Sequence, residues 1–168
     1  RRKLSRRGVL AGSGALLVGV SLRAHGQTPP AAANAEAGKP DTGNLPGSLK
    51  QAPYLDAWIR IGSDGNITVF TGKAELGQGI RTALLQIAAE ELSVRFGHPR
   101  LVTADTAQTP NEGYTAGSHS LQDSGTAIRC AAAQVRQILL TQAATLLQAP
   151  VGQLRLEDGA VVGPDGRR

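Results

Sequence analysis

Residues 67–84 read Ile67-Thr68-Val69-Phe70-Thr71-Gly72-Lys73-Ala74-Glu75-Leu76-Gly77-Gln78-Gly79-Ile80-Arg81-Thr82-Ala83-Leu84. The first five residues are β-branched or aromatic, the composition of a strand. From Ile80 to Val94 the apolar spacing becomes helical. Ile80, Leu84, Ile87 and Ala88 share one face, and Leu85 and Leu92 flank it. Gly77-Gln78-Gly79 stands between the two patterns. Glycine weakens a helix and a glutamine amide needs partners, so the placement asks for a reason. A ligand that comes close to the backbone supplies one. The start of a helix carries free N–H groups and partial positive charge, and glycines open it to an anion such as phosphate.

Outward from this stretch the pattern continues on both sides. Ala57–Ile61 is a second β-rich run, and Ser63-Asp64-Gly65-Asn66 supplies the turn of a hairpin. Arg100–Ala104 reads as another strand, and residues 105–124 are polar, rich in Gly and Ser, and aperiodic. A second helix is expected from about Gly125 to Leu147, with Ile128, Ala132, Val135, Leu139 and Leu146 on its apolar face. Leu154-Arg155-Leu156 and Ala160-Val161-Val162 flank Glu157-Asp158-Gly159 as a second hairpin. The order β-β-α-β-loop-α-β-β predicts an α+β fold, with strand hairpins and two helices packed on a mixed sheet. Glu90 and Glu91 fall at the end of the first helix, where the dipole disfavours them.

A second candidate loop, Thr115-Ala116-Gly117-Ser118-His119-Ser120, precedes the second helix. It again combines small residues, hydroxyls and backbone donors. Two such loops before two helices suggest one ligand rich in oxygens and polar ring atoms. Each loop taken alone is also compatible with an ordinary turn. His119 alone reads as a surface histidine and His98, next to Pro99, as a loop residue. No Cys/His pair has metal spacing, and neither a Gly-x-Ser-x-Gly elbow nor a P-loop lysine pattern is present. The single cysteine, Cys130, excludes an intrachain disulfide and a cluster ligated by cysteines of this chain. It falls beside Ala131–Ala133 and reads as a small packed residue.

Charge is unevenly spread over the 168 residues. Six of the 18 Lys and Arg residues fall in residues 1–26, which hold no acid, leaving 12 bases against 13 acids elsewhere. The net +5 therefore reports the N-terminus and gives no basic face for nucleic acid. Ser5-Arg6-Arg7-Gly8-Val9-Leu10 leads into an uncharged run of 15 residues, Gly8 to Leu22, shorter than the ~20 that span a bilayer as a helix. A basic flank, a short apolar segment and the small residues of Ala24-His25-Gly26 make an export signal over 1–26, the alternative expectation being an uncleaved membrane anchor that leaves the protein membrane-associated. The paired arginines resemble the twin-arginine type, with Val9 where phenylalanine is more usual. Residues 27–50, rich in Pro, Ala, Gly and Asn, read as a flexible linker, and 51–168 as the folded part.

The two loops in order resemble the molybdopterin-binding subunit of the xanthine dehydrogenase and aldehyde oxidoreductase family, in particular its exported branch similar to isoquinoline 1-oxidoreductase beta subunits. The resemblance rests on Gly65 to Ile80, Thr82-Ala83-Leu84 and Ala88-Ala89-Glu90-Glu91-Leu92. It continues through Thr106, Pro110-Asn111, Thr115-Ala116-Gly117-Ser118, Ser120 and Gly125. It covers roughly residues 55–150. The resemblance implies a molybdopterin cofactor, in the cytosine dinucleotide form, with molybdenum held by the cofactor's own dithiolene sulfurs. Gln78 would contact the pterin or its phosphate, with Gly77 and Gly79 giving backbone access. Thr115, Gly117, Ser118 and Ser120 would line the pterin. The implied reaction hydroxylates an aldehyde or N-heteroaromatic carbon with oxygen from water. Electrons would leave through a small 2Fe–2S iron–sulfur subunit, with a cytochrome c as a further acceptor, and the location would be the periplasm. The family's catalytic glutamate lies in a downstream glycine-rich loop that nothing here matches, and Glu75, Glu90 and Glu91 do not take its place. The chain is therefore expected to be an N-terminal part of a larger molybdopterin-binding domain, inactive alone. The competing expectation is an exported binding or structural domain whose glycine loops are plain turns.

Overall fold

The computed structural model describes residues 42–168. The export signal expected over 1–26 and the first part of the expected linker lie outside the described residues. Strand β1 (Ile59–Ile61) pairs antiparallel with β2 (Ile67–Thr71), which pairs in parallel with β3 (Pro99–Thr103). This is the predicted mixed sheet, with β2 at its centre. Parallel pairing requires a crossover, and helix α1 (Ile80–Glu91) supplies it. Pro99 opens β3, a strand paired on one side only, where its missing N–H costs no ladder bond. Ile67 and Val69 enter the main core beside Ile59 and Ile61. Phe70, on the other face of β2, lies under the Arg60 guanidinium at 4.9 Å from the ring centre.

Helix α2 (Thr126–Leu147) is preceded by a π-helical segment, Ser120–Gly125. Along its first half Ala127, Ile128, Ala131, Ala132 and Val135 join α1 and the sheet in the main core. Along its second half Leu140, Ala143 and Leu147 pack instead against the hairpin of β4 (Arg155–Glu157) and β5 (Ala160–Val162) through Leu154 and Val161. At 100° per residue the buried face turns by roughly a third of a turn between the two halves. This corrects the predicted single face. Leu139 is half-buried and Leu146 is 53% exposed, because the second core lies in a different direction from the first. The hairpin also touches the α1–β3 connection, where the Gly159 N–H donates to the Ser93 carbonyl at 2.8 Å. The unfavourable placement of Glu91 is offset by Arg129 of α2, 3.0 Å away, although a pair so exposed contributes at most ~1 kcal/mol.

The linker expected over 27–50 ends earlier than its composition indicated. Gly47–Lys50 forms a short 3-10 turn, Ser48 and Leu49 are buried, and Leu49 belongs to the main core with Leu45 packed against it. Leucines four residues apart anchor this segment. The surrounding Pro, Ala and Gly hid them in the average composition. Trp58, fully buried, covers the same corner, and its indole N–H donates to the Ala52 carbonyl at 2.8 Å.

Candidate functional site

The loop between β2 and α1 is closed by its own side chains. Gly79 sits at the start of α1 with φ +78°, and an added Cβ would meet nothing within 4 Å. Glycine is therefore required there by backbone conformation and not by space. The Glu75 carboxylate turns back into the loop. It accepts the N–H groups of Gly77 at 2.8 Å, Gly79 at 3.0 Å and Arg81 at 3.0 Å. The Gln78 amide spans the same turn, its Oε1 accepting from the Leu76 N–H at 2.5 Å and its Nε2 donating to the Ala74 carbonyl at 2.9 Å. The expectation of free N–H groups awaiting an anion is thereby corrected. An internal carboxylate already holds the start of α1, since those donors and the helix dipole favour any nearby negative charge.

These bonds depress the Glu75 carboxyl below its ordinary range, the Arg81 amide first and the Gly79 amide next. A carboxyl lowered on folding stabilises the loop above its unfolded value and loses that contribution as pH falls through the folded value. The loop is thus fully tied at neutral pH and loosens only in acid. In an NMR titration the Gly79 and Arg81 amide signals should move with a midpoint below that of a free glutamate, and Glu75→Gln should abolish the movement. A midpoint at or above the free value would contradict the assignment of Glu75 as the cap.

The second loop is bound to the first at several points. The Thr115 hydroxyl oxygen accepts the Ala74 N–H at 2.8 Å. Lys73, buried although charged, donates from Nζ to the backbone carbonyls of Glu112 at 2.7 Å and Tyr114 at 2.8 Å. Glu112 accepts from the Thr71 hydroxyl and the Gly72 N–H on Oε2, both at 2.7 Å, and from the Ser124 hydroxyl on Oε1 at 2.5 Å. Thr71 and Ser124 are completely buried, so this carboxylate satisfies polar groups that water does not reach. Gly117 and Ser118 are consecutive left-handed residues, with φ +61° and +60°. For Ser118 that conformation is strained by about 1 kcal/mol or more.

The result is one open cleft of about 440 Å³ between the loops. Of the seven candidate residues, Gln78 and Gly79 line one side and Thr115, Gly117, Ser118 and Ser120 the other, while Gly77 is absent from the lining. Leu76, Ile80, Ala83 and Leu121 add apolar surface to it. Backbone exposed by glycine, three hydroxyls and an amide with spare donor and acceptor capacity, set among aliphatic side chains, suit a flat heterocyclic ligand. His119 is not among the lining residues and pairs with Asp123, Nδ1 to Oδ2 at 3.2 Å. His98 is a loop residue, as expected, 3.4 Å from the Gly65 carbonyl. No group of three or more His, Cys, Asp or Glu side chains that could hold a metal ion occurs among the described residues. Sequence reasoning passed over Glu112, Lys73, Thr71 and Ser124. The visible signal was a lone acid, Glu112, in a polar loop otherwise without charge between Thr106 and Asp123, apart from the side chain of His119.

Residues 19–168 match a family model described as a molybdopterin cofactor-binding domain. A nicotinate dehydrogenase subunit from Pseudomonas putida is 45% identical over 112 residues, covering 67% of this chain and 9% of that protein. The beta subunit of isoquinoline 1-oxidoreductase from Brevundimonas diminuta is 31% identical over 173 residues, covering 99% of this chain and 21% of that protein. Among solved structures, quinoline 2-oxidoreductase from Pseudomonas putida 86 superimposes with a TM-score of 0.56 at 30% identity, over 63% of this chain and 13% of that one. The Cu,Mo-CO dehydrogenase superimposes with a TM-score of 0.57 at 27% identity, over 64% of this chain and 14% of that one. The chain thus spans about a tenth to a fifth of the length of these relatives. With a matched model over most of its length and two loops meeting at one cleft, the chain belongs to the molybdopterin cofactor-binding domain family, within the molybdopterin-binding oxidoreductase subunits of the xanthine dehydrogenase and aldehyde oxidoreductase type.

Proposed function

We propose that this chain contributes two cofactor-binding loops to an exported molybdenum hydroxylase acting on an aldehyde or an N-heteroaromatic carbon. The observation that carries the reading is the convergence of Gln78, Gly79, Thr115, Gly117, Ser118 and Ser120 on one cleft. A bound molybdopterin, in the cytosine dinucleotide form, would supply the redox centre at which the substrate carbon is oxidised with oxygen from water. The chain's own residues bind and orient. Gly117 exposes backbone, and Gly79 leaves the cleft wall open although its own N–H is held by Glu75. The Ser118 and Ser120 hydroxyls offer donors and acceptors, and Gln78 keeps one amide hydrogen and one lone pair beyond its internal bonds. Leu76, Ile80 and Leu121 offer the cleft an apolar side against which a flat ring can pack. The proton-accepting carboxylate belongs, on this reading, to a part of the protein beyond these residues.

Both relatives are themselves named as enzyme subunits, which supports a partner here, proposed to be a small 2Fe–2S protein handing electrons to a cytochrome c. Arg6-Arg7 and the uncharged run to Leu22 support export by the twin-arginine route to the periplasm. The complete gene product, co-expressed with its neighbouring small subunit, should contain stoichiometric molybdenum by metal analysis. It should also oxidise at least one member of a panel of aldehydes and N-heterocycles with an artificial acceptor. The 168-residue chain alone should hold no stoichiometric metal. Soluble complete protein with molybdenum at background would sink the reading.

A further inference from the structure

Glu112 lies outside the cleft lining, yet it joins the three elements that shape it. Its Oε2 takes the Thr71 hydroxyl and the Gly72 N–H at the end of β2. Its Oε1 takes the Ser124 hydroxyl in the π-helical segment that also carries Ser120. Its own backbone carbonyl receives the buried Lys73 ammonium, which also holds the Tyr114 carbonyl just before Thr115. Three donors converge on one carboxylate, two of them from hydroxyls with no access to water, and bonds to a charged acceptor are the stronger kind. The wide turn of a π-helical segment is a costly geometry that needs outside support. Glu112 provides that support at Ser124, one turn beyond Ser120.

We propose that Glu112 is a positioning residue for the cofactor site, clasping the second loop and the π-helical segment to the end of β2 so that the cleft is formed before any cofactor arrives. The proposal rests on the cofactor-binding reading above, while the clasp itself is a property of this chain. Each substitution has a distinct expected outcome. Glu112→Ala leaves the Thr71 and Ser124 hydroxyls and the Gly72 N–H without their acceptor. Glu112→Gln retains one acceptor oxygen, and because a hydroxyl can also accept, Ser124 can reverse its role toward the new amide. The glutamine variant should therefore recover part of the loss, and Ser124→Ala should fall between the two.

The test measures two quantities on the complete gene product: molybdenum per chain after gel filtration, and amide hydrogen exchange over residues 113–119. Leu154→Ala, in the second core, serves as a control that lowers the melting midpoint away from the clasp. Exchange over 113–119 should rise about tenfold or more in Glu112→Ala, as for loss of a strong buried bond. Metal content should fall several-fold, with smaller changes of the same sign in Glu112→Gln and Ser124→Ala. The control should keep its metal and its loop protection. Unchanged metal and unchanged exchange in the Glu112 variants overturn the proposal, as does a control that loses metal equally at the same melting midpoint. Should Glu112→Ala not fold, the glutamine and Ser124→Ala variants carry the same decision. If the unsubstituted protein contains no molybdenum, the cofactor reading fails, and the exchange measurement still decides whether the clasp exists.

Discussion

Gly72→Ala is expected to destabilise the protein by about 3 kcal/mol or more and to pull the second loop away from the cleft. A Cβ added at Gly72 would stand 2.2 Å from the Pro110 carbonyl oxygen and 3.3 Å from the Glu112 amide nitrogen. Both neighbours are backbone, so neither can swing aside as a flexible side chain would. The loop must move off the end of β2, and that movement stretches the Glu112 bonds to Thr71 and Gly72. Gly77→Ala makes a useful contrast. Its φ of +93° strains any side chain, but nothing lies within 4 Å of the added carbon, so its cost is about 1–3 kcal/mol of backbone strain alone. Urea denaturation of both variants separates the two causes. A Gly72→Ala midpoint equal to that of the unsubstituted protein would mean that the loop is not seated against β2 as described.

Trp58→Ala should cost about 3–5 kcal/mol, the range for emptying a buried aromatic site. Trp58 has no exposed surface, and its indole bond to the Ala52 carbonyl fixes the segment that carries Leu45 and Leu49. Trp58→Phe retains most of the packing and leaves the Ala52 carbonyl without its donor, a loss of about 1–3 kcal/mol. Protease sensitivity near residues 45–52 should rise in both variants, more in alanine than in phenylalanine. Resistance there equal to that of the unsubstituted chain, alongside a lowered urea midpoint, would show that the corner is held by something other than Trp58.

The fold was legible where local pattern and packing agree. The run Ile67–Thr71 marked β2 to the residue, and the helical spacing marked the start of α1 at Ile80, although the helix ends at Glu91 and not at the expected Val94; a central strand and a helix on one core each leave a periodic signature. The second half of α2 misled, since Leu146 continues the spacing of the first core while Leu140, Ala143 and Leu147 serve another. No single period describes a helix with two partners. The two loops were recognisable from their glycines and hydroxyls, and the structure brings six of the seven named residues together. What holds the loops in place was not legible. Glu112 and Thr71 are 41 residues apart, and a lysine buried against two carbonyls has no local sequence signature. The capping of α1 by Glu75 was obscured for a related reason, since a helix start looks the same in sequence whether it awaits an anion or already has one.

The turned face of α2 divides the described chain into two cooperative units that share one rod. Turns of helix without a buried face are marginal in water. The last turns of α2 and the β4–β5 hairpin must therefore gain and lose order together, whereas the first turns follow the sheet and α1. The middle of α2, between Val135 and Leu140, becomes a seam at which the C-terminal quarter of the domain can melt while both cleft loops keep their shape.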